Sequence, residues 1–242
     1  MAKPVPSSSQ HGYEVLEYDQ LRWIRSKNGA VQSMLFTDDP SYPVLHYVKA
    51  LLCSLLLVDQ PERVLNLGLG SGAIERYIGS HHPDISVTSV EPVADIITLS
   101  KECFFLDCKH QVRNESAEQF LQTTQQQFDL IICDIDTLQD WHNPIESDTF
   151  LQNLKRALLP QSVAAINFLA ESETHIVNLL VRLRKIFKQV MLFDVSRQQN
   201  IVFYCSNANF PEQTVLQAKA SLPQYMQLQA ESIIQQLIWL PE

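Results

Sequence analysis

The chain has 242 residues, 45% hydrophobic and 19% charged, which is enough to bury a substantial core and excludes a disordered polymer. With 27 acidic against 18 basic residues and a net charge of -9, it lacks the basic face that a phosphate backbone requires, so nucleic acid is excluded as a partner. The longest apolar run, 50–58, is broken by Ser54 and falls far short of the roughly 20 residues of a membrane span. Residues 1–12 are polar and carry no apolar leader, so the expectation is a soluble, cytoplasmic protein with no membrane partner.

In chain order, residues 13–19, 21–27 and 30–36 read as three strands of a small meander, with Asn28 and Gly29 forming the hairpin turn between the last two. Segment 44–58 places Val44, Tyr47, Val48, Leu51, Leu52, Leu55 and Val58 on one face of a helix that joins the meander to the main sheet. From residue 63 the pattern changes to strands alternating with helices, the mark of a doubly wound sheet. Strands are expected at 63–67, 86–91, 111–114, 128–134 and 162–168. Helices are expected from residue 73, at 92–105, 117–124 and 148–158, and around Ile176 to Phe187. Two strands, 190–195 and 201–205, then come without an intervening helix. This predicts a Rossmann-like, seven-stranded α/β sheet that closes on an antiparallel hairpin. In the tail, Met226, Ala230, Ile233, Leu237 and Leu240 fall at helical spacing, and Ile234, Ile238 and Trp239 widen the stripe. Such a broad apolar face requires a cover, from the domain or from a partner. The divisions are 1–58 for the meander and linking helix, 59–208 for the cofactor-binding domain and 209–242 for a helical tail.

An average chain of this size holds about 17 glycines. This one has six, and three of them stand at Gly68, Gly70 and Gly72. They come after an apolar strand and precede a helix, the context in which a glycine-rich turn brings backbone N–H groups close to a ligand. Glu91, 19 residues after Gly72 at the end of the next strand, is placed to accept ribose hydroxyls. Asp134 ends the strand 128–134, and Asp136, Asp140, Trp141 and His142 occupy the loop beyond it. The five cysteines, at 53, 103, 108, 133 and 205, have no CxxC spacing. They are read as reduced, buried thiols, with no disulfide framework and no metal site.

Gly68, Gly70 and Ala73 also satisfy the nicotinamide-dinucleotide pattern, so an NAD-binding oxidoreductase stays open, and the terminal hairpin weighs against it. The chain resembles the class I S-adenosylmethionine-dependent methyltransferase fold, and more narrowly the spermidine synthase (aminopropyltransferase) family built on it. The resemblance covers roughly 13–205 and rests on the glycine turn, Glu91, the strand 128–134, the helix 150–158, Gln32, and Asp38-Asp39-Pro40-Ser41-Tyr42 before the linking helix. It implies a transferase moving a methyl or aminopropyl group from S-adenosylmethionine or decarboxylated S-adenosylmethionine to a small-molecule acceptor, and a homodimer.

Carried over residue by residue, Gly68, Gly70 and Gly72 match the cofactor turn, Glu91 the ribose acid, and Asp134 the base that takes a proton from an attacking amine. Gln32 falls at the family's cofactor-side glutamine. Ser116 and Ala117 stand where the family has an acid and a small residue beside adenine. Asp136 comes one position early for the second acid, and Thr137 occupies the matching place. Ser71 replaces the acid linked to the aminopropyl amine, and Pro43 and Val44 replace two polar residues of the acceptor pocket. These departures keep a third reading open, a catalytically silent cofactor fold that works through its surface. Of the two aspartates, Asp134 has the stronger claim as base.

Overall fold

The computed structural model describes residues 2–5, 13–26, 29, 31–135, 143–195, 199–220 and 228–239. A small antiparallel sheet comes first, in the order β1 (Lys3–Pro4), β2 (Glu14–Tyr18), β3 (Leu21–Arg25) and β4 (Val31–Phe36). The expected three-strand meander thus gains a short outer strand. Helix α1 (His46–Cys53), extended by a 3-10 turn at Ser54–Leu56, leads to the main sheet. There the chain alternates through β5 (Arg63–Leu67), α2 (Ala73–His81), β6 (Ser86–Val90), α3 (Ala94–Cys103), β7 (Val112–Arg113), α4 (Ala117–Thr123) and β8 (Phe128–Cys133). It continues through α5 (Asp148–Arg156), β9 (Leu158–Leu169), α6 (Glu173–Ile186), β10 (Gln189–Asp194) and β11 (Asn200–Ser206). The tail forms α7 (Gln213–Ala220), α8 (Ala230–Gln235) and β12 (Ile238–Trp239).

The strand order is β12-β10-β11-β9-β8-β5-β6-β7. The five strands β5 to β9 run parallel, and β11 enters antiparallel between β9 and β10. The seven expected strands are joined by an eighth, because Ile238–Trp239 pairs with the outer edge of β10. Residues 238–239 therefore continue the sheet and not the tail helix. An edge strand with open N–H and C=O groups is satisfied better by a short strand than by another helical turn.

Parallel strands covered on both faces alternate between two cores. Leu130 and Ile132 of β8 join Val64, Ala165, Val202 and Tyr204 under α1, α2, α7 and α8. Ile131 and Cys133 join Leu65, Ile166 and Phe203 under α4, α5 and α6. A third cluster, Val15, Ile24 and Leu35 with Leu99 and Phe104, packs the meander on α3. Ala230, Ile233, Ile234 and Leu237 are buried in the first core, so the domain itself covers much of the tail's apolar stripe. Helix α5 stops at Arg156, short of the expected 158, because Leu158 pairs with Phe128 at the start of the longer β9.

The Tyr204 hydroxyl donates a 2.7 Å hydrogen bond to the Ala50 carbonyl and ties α1 to β11. Tyr204→Phe is expected to lower stability by about 1 kcal/mol, measured by urea denaturation, with the secondary structure unchanged. Cys53, Cys103, Cys133 and Cys205 are buried and Cys108 is exposed, which corrects the expectation of five buried thiols. Cys108 lies in the turn before β7, outside both faces of the sheet. Burial pushes the Cys53, Cys133 and Cys205 thiols well above the ordinary thiol range. A thiol reagent should therefore label one cysteine quickly in the native protein, and Cys108→Ser should abolish that phase.

Candidate functional site

Between β5 and α2 the backbone turns through Gly68, Gly70 and Gly72, with φ of 96°, 52° and 79°. A Cβ at Gly68 would lie 2.1 Å from the Asp134 carbonyl oxygen. Glycine is therefore required here both by its left-handed φ and by the space. The Gly68 N–H donates to the Val90 carbonyl at 2.9 Å, and the Asp134 N–H donates to the Leu67 carbonyl at 2.8 Å. The turn is thus held to the end of β6 on one side and to the end of β8 on the other. This is the crevice at the carboxyl ends of the strands where the strand order reverses, the place where open α/β sheets bind ligands.

Beneath the turn lies a buried polar layer. Asn66 donates to the Gly68 carbonyl at 2.9 Å and to Glu75 Oε1 at 2.6 Å, and the Ser89 hydroxyl donates to the same oxygen at 2.6 Å. Beside the turn, the Ser33 hydroxyl of β4 donates to the Ser71 hydroxyl at 2.6 Å and accepts the Ser71 N–H at 3.1 Å. The Arg76 guanidinium donates to the carbonyls of Pro40 at 2.7 Å, of Phe104 at 2.9 Å, and of Ser71. It joins the meander's exit, the glycine turn and the end of α3. Burial pulls Arg76 down to about 10, against the raising effect of the Glu75 carboxylate, so it stays cationic at neutral pH.

Glu91 is buried at the end of β6. Its Oε2 accepts the Leu69 N–H of the turn at 3.1 Å, and its Oε1 accepts the Val93 N–H at 2.9 Å. Each oxygen of the carboxylate thus accepts from a backbone amide. Asn114 donates to the Glu91 carbonyl at 2.9 Å and fixes its backbone. Ser116 caps α4 in a capping box: its hydroxyl accepts the Gln119 N–H at 3.2 Å while its own N–H donates to the Gln119 side chain at 3.3 Å. Ala117 is buried beside it. Gln32 is the extra residue of a β-bulge, since Ile24 pairs with Ser33 and Arg25 pairs with Val31. The bulge breaks strict alternation at Gln32 and Ser33, next to the turn, which is where such features re-aim side chains.

Asp134 comes directly after β8, and its Oδ1 accepts a 2.8 Å hydrogen bond from Asn167 of β9. The Asn167 side-chain oxygen in turn accepts a 2.9 Å hydrogen bond from Asn200 of β11. Asp136, together with Thr137, Asp140, Trp141 and His142, lies outside the described residues. The fold therefore brings Gly68, Gly70, Glu91 and Asp134 to one crevice. It adds Ser33, Asn66, Glu75, Asn167 and Asn200, which the motif pattern does not single out. Asn66 and Asn167 carry one visible signal, a polar residue inside an otherwise apolar strand.

The usual dinucleotide-binding sheet is mostly parallel, in the order 3-2-1-4-5-6, whereas here β11 runs antiparallel between β9 and β10. The fold is class I methyltransferase-like, in the form seen in spermidine synthases. No family model matches the chain. A polyamine aminopropyltransferase of Chromobacterium violaceum is 29% identical over 160 residues, which make up 64% of this chain and 60% of the relative. The match thus spans about three fifths of that relative's length. The crystal structure of a probable spermidine synthase from Corynebacterium glutamicum superposes with a TM-score of 0.75 at 19% identity, covering 96% of this chain and 86% of that one. Human methyltransferase-like protein 13, solved in complex with SAH, gives a TM-score of 0.65 at 17% identity, covering 78% of this chain and 92% of that one.

The crowding at Gly68 gives a direct test. Gly29 also has a left-handed φ, of 87°, with nothing within 4 Å of an added Cβ, so Gly29→Ala is expected to cost only about 1 kcal/mol of backbone strain. Gly68→Ala must also push the Asp134 backbone away and is expected to cost about 3 kcal/mol or more by urea denaturation.

Proposed function

We propose that this protein is a transferase that binds a sulfonium nucleoside, S-adenosylmethionine or its decarboxylated form, at the Gly68 to Glu91 crevice, and passes a methyl or aminopropyl group to a small acceptor. The observation that carries this reading is the Glu91 carboxylate, buried at the end of β6 and hydrogen-bonded to the Leu69 amide of the glycine turn. A carboxylate locked against that turn fits a ribose diol, with the polar tail of the nucleoside along the glycine turn. Ala117 and the cap of α4 border the adenine side, and Gln32 and Ser33 border the meander side.

When bound, such a cofactor supplies the leaving group at a sulfonium. The chain's own work is to hold the two reactants in line and to take one proton. Asp134 is the group for the second task, as a carboxylate at the crevice whose position the Gly68 contact and the Asn167 hydrogen bond both restrict. Asp136, outside the described residues, is the second acid that the family resemblance suggests.

Among the described residues, the positions that the family resemblance links to amine binding disfavour a diamine as that acceptor. A dication needs acidic partners, because charge left unpaired in a closed site is costly. Ser71 stands where an acid would hold a cationic amine, and its hydroxyl is engaged by Ser33. Lys49 is buried, and its ammonium donates a 2.7 Å hydrogen bond to the Tyr42 hydroxyl of the Asp38 to Tyr42 motif. Pro43 and Val44 add no charge. An acceptor that does not carry two cationic ends fits this arrangement better.

Calorimetry with S-adenosylmethionine, decarboxylated S-adenosylmethionine, methylthioadenosine and NAD tests the cofactor. Binding of an adenosyl sulfonium or thioether is expected without binding of NAD, and Glu91→Ala should weaken it about tenfold or more. NAD binding, or unchanged affinity in Glu91→Ala, overturns the assignment. With decarboxylated S-adenosylmethionine and putrescine, spermidine measured by mass spectrometry should form much more slowly than about 1 per second. Turnover in the ordinary range that Asp134→Asn abolishes would show that the diamine is the acceptor after all.

A further inference from the structure

Three residues far apart in sequence, Asp134, Asn167 and Asn200, are joined side chain to side chain across three neighbouring strand ends. In the sheet, Cys133 at the end of β8 pairs with Ile166, next to Asn167 on β9. Asn167 pairs with Val202, and Asn200 pairs with Leu169, on β11. The two amides are therefore diagonal neighbours on one face of the β9 and β11 ladder, and the first of them reaches the carboxylate.

The hydrogen bonds have one direction. Asn200 Nδ2 donates to Asn167 Oδ1 at 2.9 Å, and Asn167 Nδ2 donates to Asp134 Oδ1 at 2.8 Å. An ionised carboxylate only accepts, which fixes the orientation of the Asn167 amide. The Asn167 carbonyl must then face a donor, and Asn200 supplies it. If the Asn167 amide turned over, two oxygens would face each other at Asp134 and two donors would face each other at Asn200. We propose that Asn167 and Asn200 are positioning residues: together they form a one-way amide relay that holds the Asp134 carboxylate at the crevice in its proton-accepting form. The inference rests on the reading of Asp134 as the base of a transferase.

Such a relay suits a base. The neutral Asn167 amide supports the carboxylate without adding charge, so the proton is accepted by a group that is oriented beforehand. A lysine or arginine in the place of Asn167 would hold the carboxylate more tightly and make it a poorer base. The adjacent Cys133 thiol feels both the Asp134 carboxylate and Glu118 of α4. Burial raises the Cys133 thiol first, and the Asp134 and Glu118 carboxylates raise it further, so it is protonated and neutral at physiological pH.

The test monitors the Asp134 carboxyl itself and needs no turnover. The full chain is labelled with carboxyl-13C aspartate, the Asp134 signal is assigned by its loss in Asp134→Asn, and its titration is recorded by NMR. Asn167→Leu is expected to raise the titration midpoint by about one pH unit, because the donor to the ionised form is gone. Asn200→Leu should raise it less, and should have no further effect in the Asn167→Leu background, because Asn200 acts through Asn167. If Asn167→Leu fails to fold, Asn167→Ser and Asn200→Leu carry the same prediction. A midpoint unmoved in folded variants, or an Asn200→Leu effect that persists without Asn167, overturns the relay. Where an acceptor supports turnover, the variants should lower kcat with the cofactor KM unchanged, whereas a merely structural pair of asparagines would move neither the midpoint nor that split. The absence of turnover with every acceptor would count against the transferase reading alone, and an unmoved midpoint against the relay alone.

Discussion

The ends of β5 and β8 approach so closely that a methyl group at position 68 would sit 2.1 Å from the Asp134 carbonyl oxygen. That approach locks two functions together. The glycine turn cannot shift toward β8 without colliding with the backbone of the candidate base, and Asp134 cannot withdraw without losing the hydrogen bond from its N–H to the Leu67 carbonyl. Glu91 is drawn into the same arrangement from β6, because its carboxylate accepts the Leu69 N–H within the turn. The elements around the crevice, from the buried Asn66 and Glu75 layer beneath to the Arg76 guanidinium beside it, brace this one contact.

The bracing groups show how the chain manages charge. Arg76 directs its donors to backbone carbonyls from three segments and so acts as a clamp between the meander and the main sheet's glycine turn. At position 71, where the family resemblance places an acid, Ser71 and Ser33 form a neutral pair, and Lys49 donates to Tyr42 of the Asp38 to Tyr42 motif. Asp134 accepts from the neutral Asn167 amide, which in turn accepts from Asn200. The proposed chemistry rests on this contrast: among the described residues, the carboxylate of Glu91 is held against the glycine turn, while Ser71 pairs with the neutral Ser33 hydroxyl.

Much of this architecture is legible along the chain. The strand, turn, helix, strand and acid from Arg63 to Glu91 are contiguous, and glycine is scarce enough elsewhere that its cluster marks the turn. The closing hairpin is visible because no helix fits between Asp194 and Asn200. Pairing at long range stays hidden. Ser33 reaches Ser71 across 38 positions, and Asn167 lies 33 positions from both Asp134 and Asn200. Nothing in the local pattern of any of these segments names its partner. Gln32 stands out by its type, while the bulge that sets its surroundings depends on the register between β3 and β4. The tail's apolar spacing suggests one continuous helix, and the open edge of β10 turns its end into a strand.

By itself, the sequence determined the alternation of elements, the glycine turn and the acids at the ends of β6 and β8. Each of these arises from local periodicity or from a backbone conformation that few residues adopt. The tertiary structure alone decided that Gly68 abuts the Asp134 carbonyl, that Ser71 is engaged by Ser33, and that Asn167 of β9 reaches the Asp134 carboxylate while Asn200 of β11 reaches Asn167. Those facts depend on strand order and register, and a shift of a single residue in pairing would turn each side chain to the opposite face of the sheet.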